Sequence, residues 1–347
     1  MLLAINYHYI GNEDTYAQGI YPVSIERLER QIKALQSVFT FVGQREMLAV
    51  LSGEKFLPKY AAIMTFDDGF RGQYDLALPL LRKHGIPAIF FVSGLPYEER
   101  RVLSVHKIHW CRAQLSPKKF LSIIAEEYLY LTGSIFSLDS LGVSDALIRS
   151  QYLYDDIDEA RLKFLLNKSS LPITIRDAII NRMFNALVPN EAVFCEQMYI
   201  PREGLRELLH LESLGVHGYS HVPMASLDDA MLRMEITKTR DVVAAIAGSD
   251  AHEIQGISYP FGAPDLVSQL CAAVAEDEGF KFGFTMERAC NTSLQSPLLL
   301  GRMDANDVPE GKAPLFELDS GRMNILNNCM TAERRIVIQE RVSVACM

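Results

Sequence analysis

Short apolar runs alternate with amphipathic segments along the first hundred residues of the chain. The runs "LLAINYHYI", "AAIMTF" and "IPAIFFV" have the length and composition of buried strands. Between them, "VSIERLERQIKALQSVF" and "YDLALPLLRKHG" carry apolar residues at helical spacing, with Ser24 as the expected N-cap and Gly85 as the expected helix stop. Strands that alternate with helices predict a parallel sheet or barrel with helices outside it.

The pattern changes between residues 97 and 200, where strand signals disappear. Helical spacing dominates there, in "KKFLSIIAEEYLYL", "EARLKFLLNK" and "ITIRDAIINRMFNAL". Alternating strand and helix signals return with "LGVHGYSH", "DAMLRMEITKTRDVVAAIAG", "EIQGISYPFG", "DLVSQLCAAVAEDEG" and "FKFGFTM". We therefore predict a discontinuous barrel domain over residues 1–96 and 201–318, a helical insertion over 97–200 and a C-terminal extension over 319–347.

Composition and charge narrow the range of functions. Of the 347 residues, 49% are hydrophobic and 22% are charged, which is ordinary for a folded globular protein. The formal net charge of -9 argues against nucleic acid as a partner, because phosphate binding requires basic patches. A neutral or cationic small substrate fits this charge better.

Cysteine spacing and the N-terminus bear on the cellular compartment. The six cysteines include no C-x-x-C pair, so the sequence predicts neither a zinc cage nor a disulfide framework. They are Cys111, Cys195, Cys271, Cys290, Cys329 and Cys346. The N-terminal run lacks a basic region and a cleavage signal, and no apolar run approaches the ~18 residues of a membrane helix. We expect a cytoplasmic protein with no transmembrane segment.

Two adjacent carboxylates, Asp67 and Asp68, follow the apolar run in "IMTFDDGF". Like charges side by side repel, and burying them is costly. A metal ion bound by one of them would offset the repulsion and keep the other ionised. In α/β folds the chemistry lies at the carboxyl ends of the strands, which is where both aspartates fall.

Two histidines four residues apart, His217 and His221, follow the apolar "LGV" in "LGVHGYSH". Such a pair can point at one ion, and a third ligand from Asp68 would leave positions open for water and substrate. Taken alone, an H-x-x-x-H pair is as often two surface or core histidines. Its position at a second strand end, beside the two aspartates, favours a metal site.

A third strand end carries "SYPFG", residues 258 to 262. Proline followed by an aromatic residue and glycine predicts a rigid turn. The backbone N–H of Phe261 could then face a developing oxyanion. An ordinary strand-to-helix turn explains the same residues equally well.

The segments "TFDDG", "HGIPAIFFV", "HGYSH" and "YPFG", in this order, resemble the polysaccharide deacetylases of carbohydrate esterase family four, the NodB-homology domain. The resemblance covers roughly residues 1 to 95 and 205 to 310 and leaves the helical insertion unexplained. It implies an α/β fold, a distorted (β/α) barrel of the polysaccharide deacetylase type, here with a large helical insertion.

The family's chemistry, carried to the matching positions, implies a divalent metal held by Asp68, His217 and His221, with Asp67 as general base. Zinc is the first expectation for the metal, and cobalt, nickel or iron are alternatives. The implied reaction removes an acyl group, usually acetyl, from the nitrogen of an amino sugar.

The chain departs from the family pattern at two positions. Typical members have an arginine in the third motif that holds the base, whereas Ser258 and Tyr259 stand there, and Arg302 in "LGRMDAND" is the candidate replacement. Typical members also have a late histidine that protonates the leaving amine. In a subgroup that resembles the poly-N-acetylglucosamine deacetylases this motif has moved to the N-terminus, which makes His8 in "INYHYI" the expected general acid.

The leading hypothesis is a metal-dependent N-deacetylase that acts on an acylated amino sugar, in a sugar nucleotide, a surface glycan or its precursor. The helical insertion would form a lid or substrate wall. The same machinery could instead remove a formyl group or hydrolyse a small amide. The missing third-motif arginine also leaves open an inactive barrel that only binds glycan. A phosphotransferase is disfavoured because its usual D-x-D spacing is absent.

Overall fold

The computed structural model describes residues 1–12, 20–136, 144–151, 156–168, 171–319 and 322–325. These residues fall into two compact units. The barrel unit comprises 1–12, 22–101, 195–319 and 322–325, and the helical unit comprises 20–21, 102–136, 144–151, 156–168 and 171–194. The domain boundaries that we predict from the sequence remain a proposal.

The barrel unit is built on one parallel sheet. Its strands are β1 (Leu2–Tyr7), β2 (Thr40–Phe41), β3 (Ala61–Phe66), β4 (Ala88–Val92), β5 (Leu214–Val216), β6 (Gly256–Ser258), β7 (Phe282–Phe284) and β8 (Met303–Asp304). A separate two-stranded antiparallel pair consists of β9 (Phe316–Asp319) and β10 (Arg322–Ile325). The order across the sheet is β7-β6-β5-β4-β3-β1-β8, with β2 beside the start of β3. A parallel bridge between Phe284 and Leu300 links β7 to the segment before β8, so the sheet curls into a distorted barrel. The predicted (β/α) barrel is thus confirmed.

The helices follow the predicted alternation and the predicted helical stretch. They are α1 (Ile25–Gln36), α2 (Gln44–Leu51), α3 (Leu78–His84), α4 (Leu95–Glu98), α5 (Ser104–Gln114), α6 (Pro117–Thr132), α7 (Asp145–Gln151), α8 (Ile157–Lys168), α9 (Ile173–Leu187), α10 (Glu191–Met198), α11 (Arg202–His210), α12 (Asp229–Ala247) and α13 (Gln269–Asp277). Ser24 caps α1 through its side chain, and Gly85 ends α3 in the left-handed conformation, as predicted. None of the helices in the described part of the chain combines the length and apolar composition needed to cross a membrane.

Complete burial explains why the strands read as continuous apolar runs. Every residue of β1, β3 and β4 is buried, as expected for parallel strands covered on both faces. A core cluster joins Leu2 and Ala4 of β1 to Ile63, Phe91 and Phe284 of the neighbouring strands. Because the strands are parallel, the carboxyl ends of β1, β3, β5 and β6 lie at one rim of the barrel, which positions the candidate site.

Two helices differ from the sequence prediction. Helix α13 begins at Gln269 rather than near Asp265, because residues 264–266 form a turn and Ser268 takes the N-cap position. The helix expected over "YDLALPLLRKHG" opens with a π-helical stretch, Gln73–Ala77, in which the Leu78 N–H bonds to the carbonyl five residues back. Pro79, which has no N–H to donate, follows directly.

The helical unit has its own core. Helix α5 packs along α9, and α6 contacts both α8 and α9. The buried Lys107 of α5 forms an ion pair with Glu191, with 2.7 Å between nitrogen and oxygen, and donates to Asn181 Oδ1 at 2.6 Å. The indole of Trp110 packs edge-on against Phe194. This contact gives Trp110 a packing function.

Candidate metal and catalytic site

Three side chains at two strand ends bring their ligand atoms together in the barrel unit. One ligand atom from each of Asp68, His217 and His221 lies within 4.8 Å of the other two. Asp68 Oδ1 is 3.2 Å from His221 Nε2 and 3.6 Å from His217 Nε2, and all three side chains are buried. One carboxylate and two imidazoles form a donor set that suits zinc and related divalent ions.

The tautomer of His217 is set by a backbone carbonyl. Its Nδ1 lies 2.8 Å from the carbonyl oxygen of Ser258, which can only accept, so Nδ1 carries the proton and Nε2 presents its lone pair toward Asp68. Burial lowers the pKa of His217 from 6.5 to about 4, although Asp67 and Asp68 oppose the shift. A neutral imidazole of fixed orientation is what a metal ligand requires.

Strained backbone accompanies the predicted site residues. Asp68 has φ 75°, His221 has φ 59° and Phe261 has φ 60°, all in the left-handed region that side chains disfavour. Gly69, at φ 68°, could not carry a side chain, because a Cβ would lie 2.7 Å from Val92 Cγ1. Such strain persists where surrounding structure enforces it, and it concentrates at functional sites.

A buried carboxylate holds the loop that carries the two histidines. Glu235 of α12 is 4% exposed. Its Oε2 accepts from the backbone N–H groups of Tyr219, at 2.8 Å, and Ser220, at 2.9 Å, and its Oε1 accepts from Ser220 Oγ at 2.5 Å. Glu235 therefore fixes the turn between His217 and His221 through hydrogen bonds to its backbone.

Arg302 forms a two-point ion pair with Asp67. Its Nη1 donates to Asp67 Oδ1 at 2.9 Å and its Nη2 donates to Asp67 Oδ2 at 2.7 Å. Asp67 Oδ2 also accepts from Asn6 Nδ2 at 3.0 Å and from Ser258 Oγ at 3.0 Å. The guanidinium is fully buried and also donates to Thr65 Oγ1 at 3.0 Å. The residue expected to replace the third-motif arginine thus contacts the expected base.

The protonation state of Asp67 follows from this pairing. Burial by itself raises the pKa of Asp67, but the charge and hydrogen bonds of Arg302, together with the nearby His217 and His8, outweigh it and lower the pKa to about 2. Asp67 is therefore ionised at neutral pH. Its Oδ2 accepts three hydrogen bonds, whereas Oδ1 accepts one from the described residues and keeps a lone pair.

His8 lies immediately after β1, at the same end of the barrel. Strand β1 pairs with β3 in parallel register, Tyr7 opposite Phe66, so His8 and Asp67 are the next residues of the two strands. His8 Nε2 is 3.5 Å from Asn6 Nδ2, the group that donates to Asp67. The structure therefore brings His8 close to the expected base.

Phe261 borders the histidine pair. Its ring, 42% exposed, packs edge-on against His221 with 4.8 Å between centroids. Within the described part of the chain its N–H donates no backbone hydrogen bond, while Gly262 N–H bonds to the Pro260 carbonyl at 2.7 Å. This leaves the Phe261 N–H available to a ligand.

The remaining histidines lie elsewhere. His84, His210 and His252 precede β4, β5 and β6, at the opposite, amino-terminal ends of the strands, and His106 and His109 belong to α5. His84 pairs with Glu29 at 2.9 Å. The four described cysteines, Cys111, Cys195, Cys271 and Cys290, are buried thiols that form no disulfide with one another, and Cys329 and Cys346 lie outside the described residues.

Sequence reasoning missed the polar residues that support the site. Asn6 and Thr65 stand two residues before His8 and Asp67, so strand alternation places each pair on one face and could have indicated them. Glu235 and Gln73 carry no such signal, because each is one polar residue among several in its helical segment.

Comparison with known proteins bears on the fold and on the segment that carries the two aspartates. A family model described as polysaccharide deacetylase matches residues 55–109, which include both aspartates. The structure of the deacetylase PplD from Streptococcus pyogenes in complex with acetate has a TM-score of 0.52 and 13% identity, over 87% of this chain and 91% of that one. The structure of IcaB from Ammonifex degensii has a TM-score of 0.50 and 16% identity, over 87% of this chain and 90% of that one. The comparison with curated proteins found no match.

The structural likeness, at these identities, establishes the fold, and the family model supplies the sequence signature. Together they support the resemblance noted in the sequence: the chain has the fold of the two deacetylase structures, and residues 55–109 match the polysaccharide deacetylase model.

Proposed function

We propose that the protein is a metal-dependent N-deacetylase that removes an acyl group, normally acetyl, from an amino sugar of a surface glycan or its precursor. The observation that carries this proposal is the convergence of Asp68, His217 and His221 within 4.8 Å, with an ionised Asp67 next in sequence. A buried cluster of this kind, on a rim where the fold family does chemistry, supports catalysis over simple glycan binding.

The metal would be held by Asp68 Oδ1 and by His217 and His221, with zinc as the first candidate and cobalt, nickel or iron as alternatives. When bound, a divalent cation supplies Lewis acidity, which polarises an amide carbonyl and makes a nearby water easier to deprotonate. A carboxylate with a pKa of about 2 is a weak base, so Asp67 depends on that acidity.

Asp67 takes a proton from the attacking water, and Oδ1 is the oxygen suited to accept it because Oδ2 is already saturated. Arg302, Asn6 and Ser258 keep the carboxylate oriented throughout. The N–H of Phe261 donates to the oxygen that gains negative charge. His8 gives a proton to the nitrogen as the carbon–nitrogen bond breaks, and the products are a carboxylate and a free amine.

The identity of the acyl group and the carrier is the finer part of the proposal. The acetate complex of the Streptococcus pyogenes enzyme supports acetyl as the group removed. The predicted cytoplasmic location would favour a sugar nucleotide or a growing glycan over a mature wall polymer. The contact of Arg302 with Asp67 supports an active enzyme over the alternative of an inactive barrel, which was based on the missing third-motif arginine.

Mass spectrometry of acetamido-sugar nucleotides and glycans incubated with the metal-loaded protein tests the proposal. The expected result is a loss of one acetyl mass and release of acetate, both abolished by chelation and by Asp67→Asn. Loss of a formyl mass would instead indicate that the protein is a deformylase. No product from any acylated amine, from protein shown to hold metal, would contradict the proposal.

Metal binding is measured separately by isothermal titration. The variants Asp68→Ala, His217→Ala and His221→Ala should each lose the ion, whereas Asp67→Asn should keep it. His252→Ala, which removes an exposed histidine before β6, is the matched control and should bind as the native protein does. Binding that survives all three ligand substitutions would exclude this metal site.

A further inference from the structure

One glutamine joins the ends of the strands that carry His8 and Asp67. Gln73 is fully buried, and its Nε2 donates to the carbonyl oxygen of His8 at 2.9 Å and to that of Asp67 at 2.5 Å. The amide cannot be flipped, because its own oxygen would then face two carbonyl oxygens. The orientation of Gln73 is therefore set by the two residues that it links.

The backbone hydrogen bonds between β1 and β3 end at these residues. The last bond runs from the Asp67 N–H to the Tyr7 carbonyl, at 3.0 Å. Beyond it, the bond from Gln73 is the only hydrogen bond that the His8 main chain makes to the described residues. The His8 side chain adds only its 3.5 Å contact with Asn6. Among the described residues, Gln73 thus supplies the hydrogen bond that holds the main chain of His8 itself, whereas the next residue, Tyr9, is held by Val23.

Asp67 is restrained differently. Its carboxylate accepts four hydrogen bonds from Arg302, Asn6 and Ser258, and these bonds do not involve Gln73. Loss of the Gln73 amide would leave the Asp67 carboxylate held while releasing the segment of His8. A substitution of Gln73 should therefore affect the step that needs His8 more than the step that needs Asp67, whereas a general loss of structure would affect both.

Gln73 lies at an unusual start of its helix. Gln73 opens the π-helical stretch Gln73–Ala77, three residues after Phe70, whose carbonyl accepts the Gln73 N–H at 3.0 Å. A π-turn is wider than an α-turn and is frequently found at functional sites. Here the π-helical stretch begins at the residue whose side chain bonds to both strand ends.

We propose that Gln73 is a positioning residue that holds His8, as proton donor, at a fixed distance from Asp67, as base. The inference rests on the proposed function for these two roles. Amide hydrolysis needs the base at the water and the acid at the leaving nitrogen, whereas an activated aryl ester needs only the base, because its leaving group requires no proton. Gln73 should therefore matter for amides and hardly for activated esters.

The test compares Gln73→Met with Gln31→Met. Gln31 is equally buried and also makes two hydrogen bonds, accepting from Tyr7 Oη at 3.1 Å and donating to the Ala305 carbonyl at 2.6 Å, but it touches neither His8 nor Asp67. We expect Gln73→Met to lower kcat for the amide about 10- to 100-fold, as small misplacements of a catalytic group do, with ester turnover and metal affinity kept. Gln31→Met should keep the amide-to-ester ratio of the native protein.

A second readout does not depend on turnover. The ring resonances of His8 in the NMR spectrum should shift or broaden in Gln73→Met and stay unchanged in Gln31→Met. If Gln73→Met does not fold, Gln73→Asn, whose shorter side chain cannot reach both carbonyls, takes its place. Equal loss of amide and ester turnover, or an unaltered His8 spectrum, would overturn the proposal. A native protein that hydrolyses neither substrate would refute the proposed function, and the His8 spectrum alone would then decide the effect of Gln73 on His8.

Discussion

Arg302 holds both carboxylate oxygens of Asp67 from a position 235 residues further along the chain. The pair is buried and shares hydrogen bonds with Asn6, Thr65 and Ser258. A planar guanidinium can donate two parallel hydrogen bonds to a carboxylate, which fixes the plane of the acceptor as well as its charge. Arg302 therefore fixes the orientation of the Asp67 carboxylate, the proposed base.

Arg302→Lys should separate charge from geometry. Lysine keeps the positive charge but is a single point donor without the rigid fork. We expect kcat for the amide to fall about 100-fold while metal affinity is retained, because the base is misplaced rather than lost. Steady-state kinetics with titration of the metal would check this. Arg288→Lys, at an exposed arginine that pairs with the buried Asp307, is the control and should leave kcat unchanged. Unaltered turnover in Arg302→Lys would show that orientation of Asp67 is not limiting.

Arg302→Met should destabilise the fold strongly. It leaves the buried Asp67 carboxylate without its cation, a change that costs about 3–5 kcal/mol in comparable buried pairs. Urea unfolding would measure the loss. The double variant Arg302→Met with Asp67→Asn should recover much of it, since the uncompensated charge is removed. A double variant as unstable as the sum of the two single variants would mean that the ion pair is not the cause.

Glu235→Gln should weaken metal binding without touching a ligand. The substitution replaces one acceptor oxygen by an NH₂ group that faces backbone N–H groups in the loop between His217 and His221. Substitutions that disturb the support of metal ligands typically cost 10- to 100-fold in affinity, and we expect about that loss by isothermal titration. Asp241→Asn, on the exposed face of the same helix, is the control. Native affinity in Glu235→Gln would show that the loop is held by other contacts.

The sequence was sufficient for the parts of the site that lie in short local patterns. Asp67 with Asp68 and His217 with His221 follow apolar strands directly, and parallel strands bring their ends together wherever the strands lie in the chain. The contact of Arg302 with Asp67 could be suggested by the gap in the third motif but not shown, because it depends on how β8 joins β1. Gln73 could not be found, because its contacts are with two backbone carbonyls and leave no pattern in the sequence.

The pKa of His217 predicts a pH dependence of stability in the metal-free protein. The folded pKa is about 4 and the ordinary value is 6.5, so between these values the unfolded chain binds more protons than the folded one. The stabilisation is complete above pH 6.5 and is lost as the pH falls toward 4, a change of about 3 kcal/mol. Urea unfolding of chelated protein at pH 7 and pH 4.5 measures it. His217→Gln should flatten this dependence, whereas His252→Gln should not, and an equally steep dependence in both variants would assign it to other groups.

His8→Ala should lower kcat for amides more than for activated esters, with metal affinity and KM retained. The nitrogen of an amide must receive a proton as the tetrahedral intermediate collapses, and an imidazole is well matched to that transfer near neutral pH. His8 is the histidine that the structure places next to Asp67 at the rim, beyond the last backbone bond between β1 and β3. An acetamido sugar and an aryl acetate are each assayed with the native protein, His8→Ala and His84→Ala. His84→Ala is the control, because His84 pairs with Glu29 and lies before β4, at the amino-terminal end of the strand. Equal losses on both substrates would assign His8 to binding or structure, since a proton donor to nitrogen cannot limit the release of an activated phenolate.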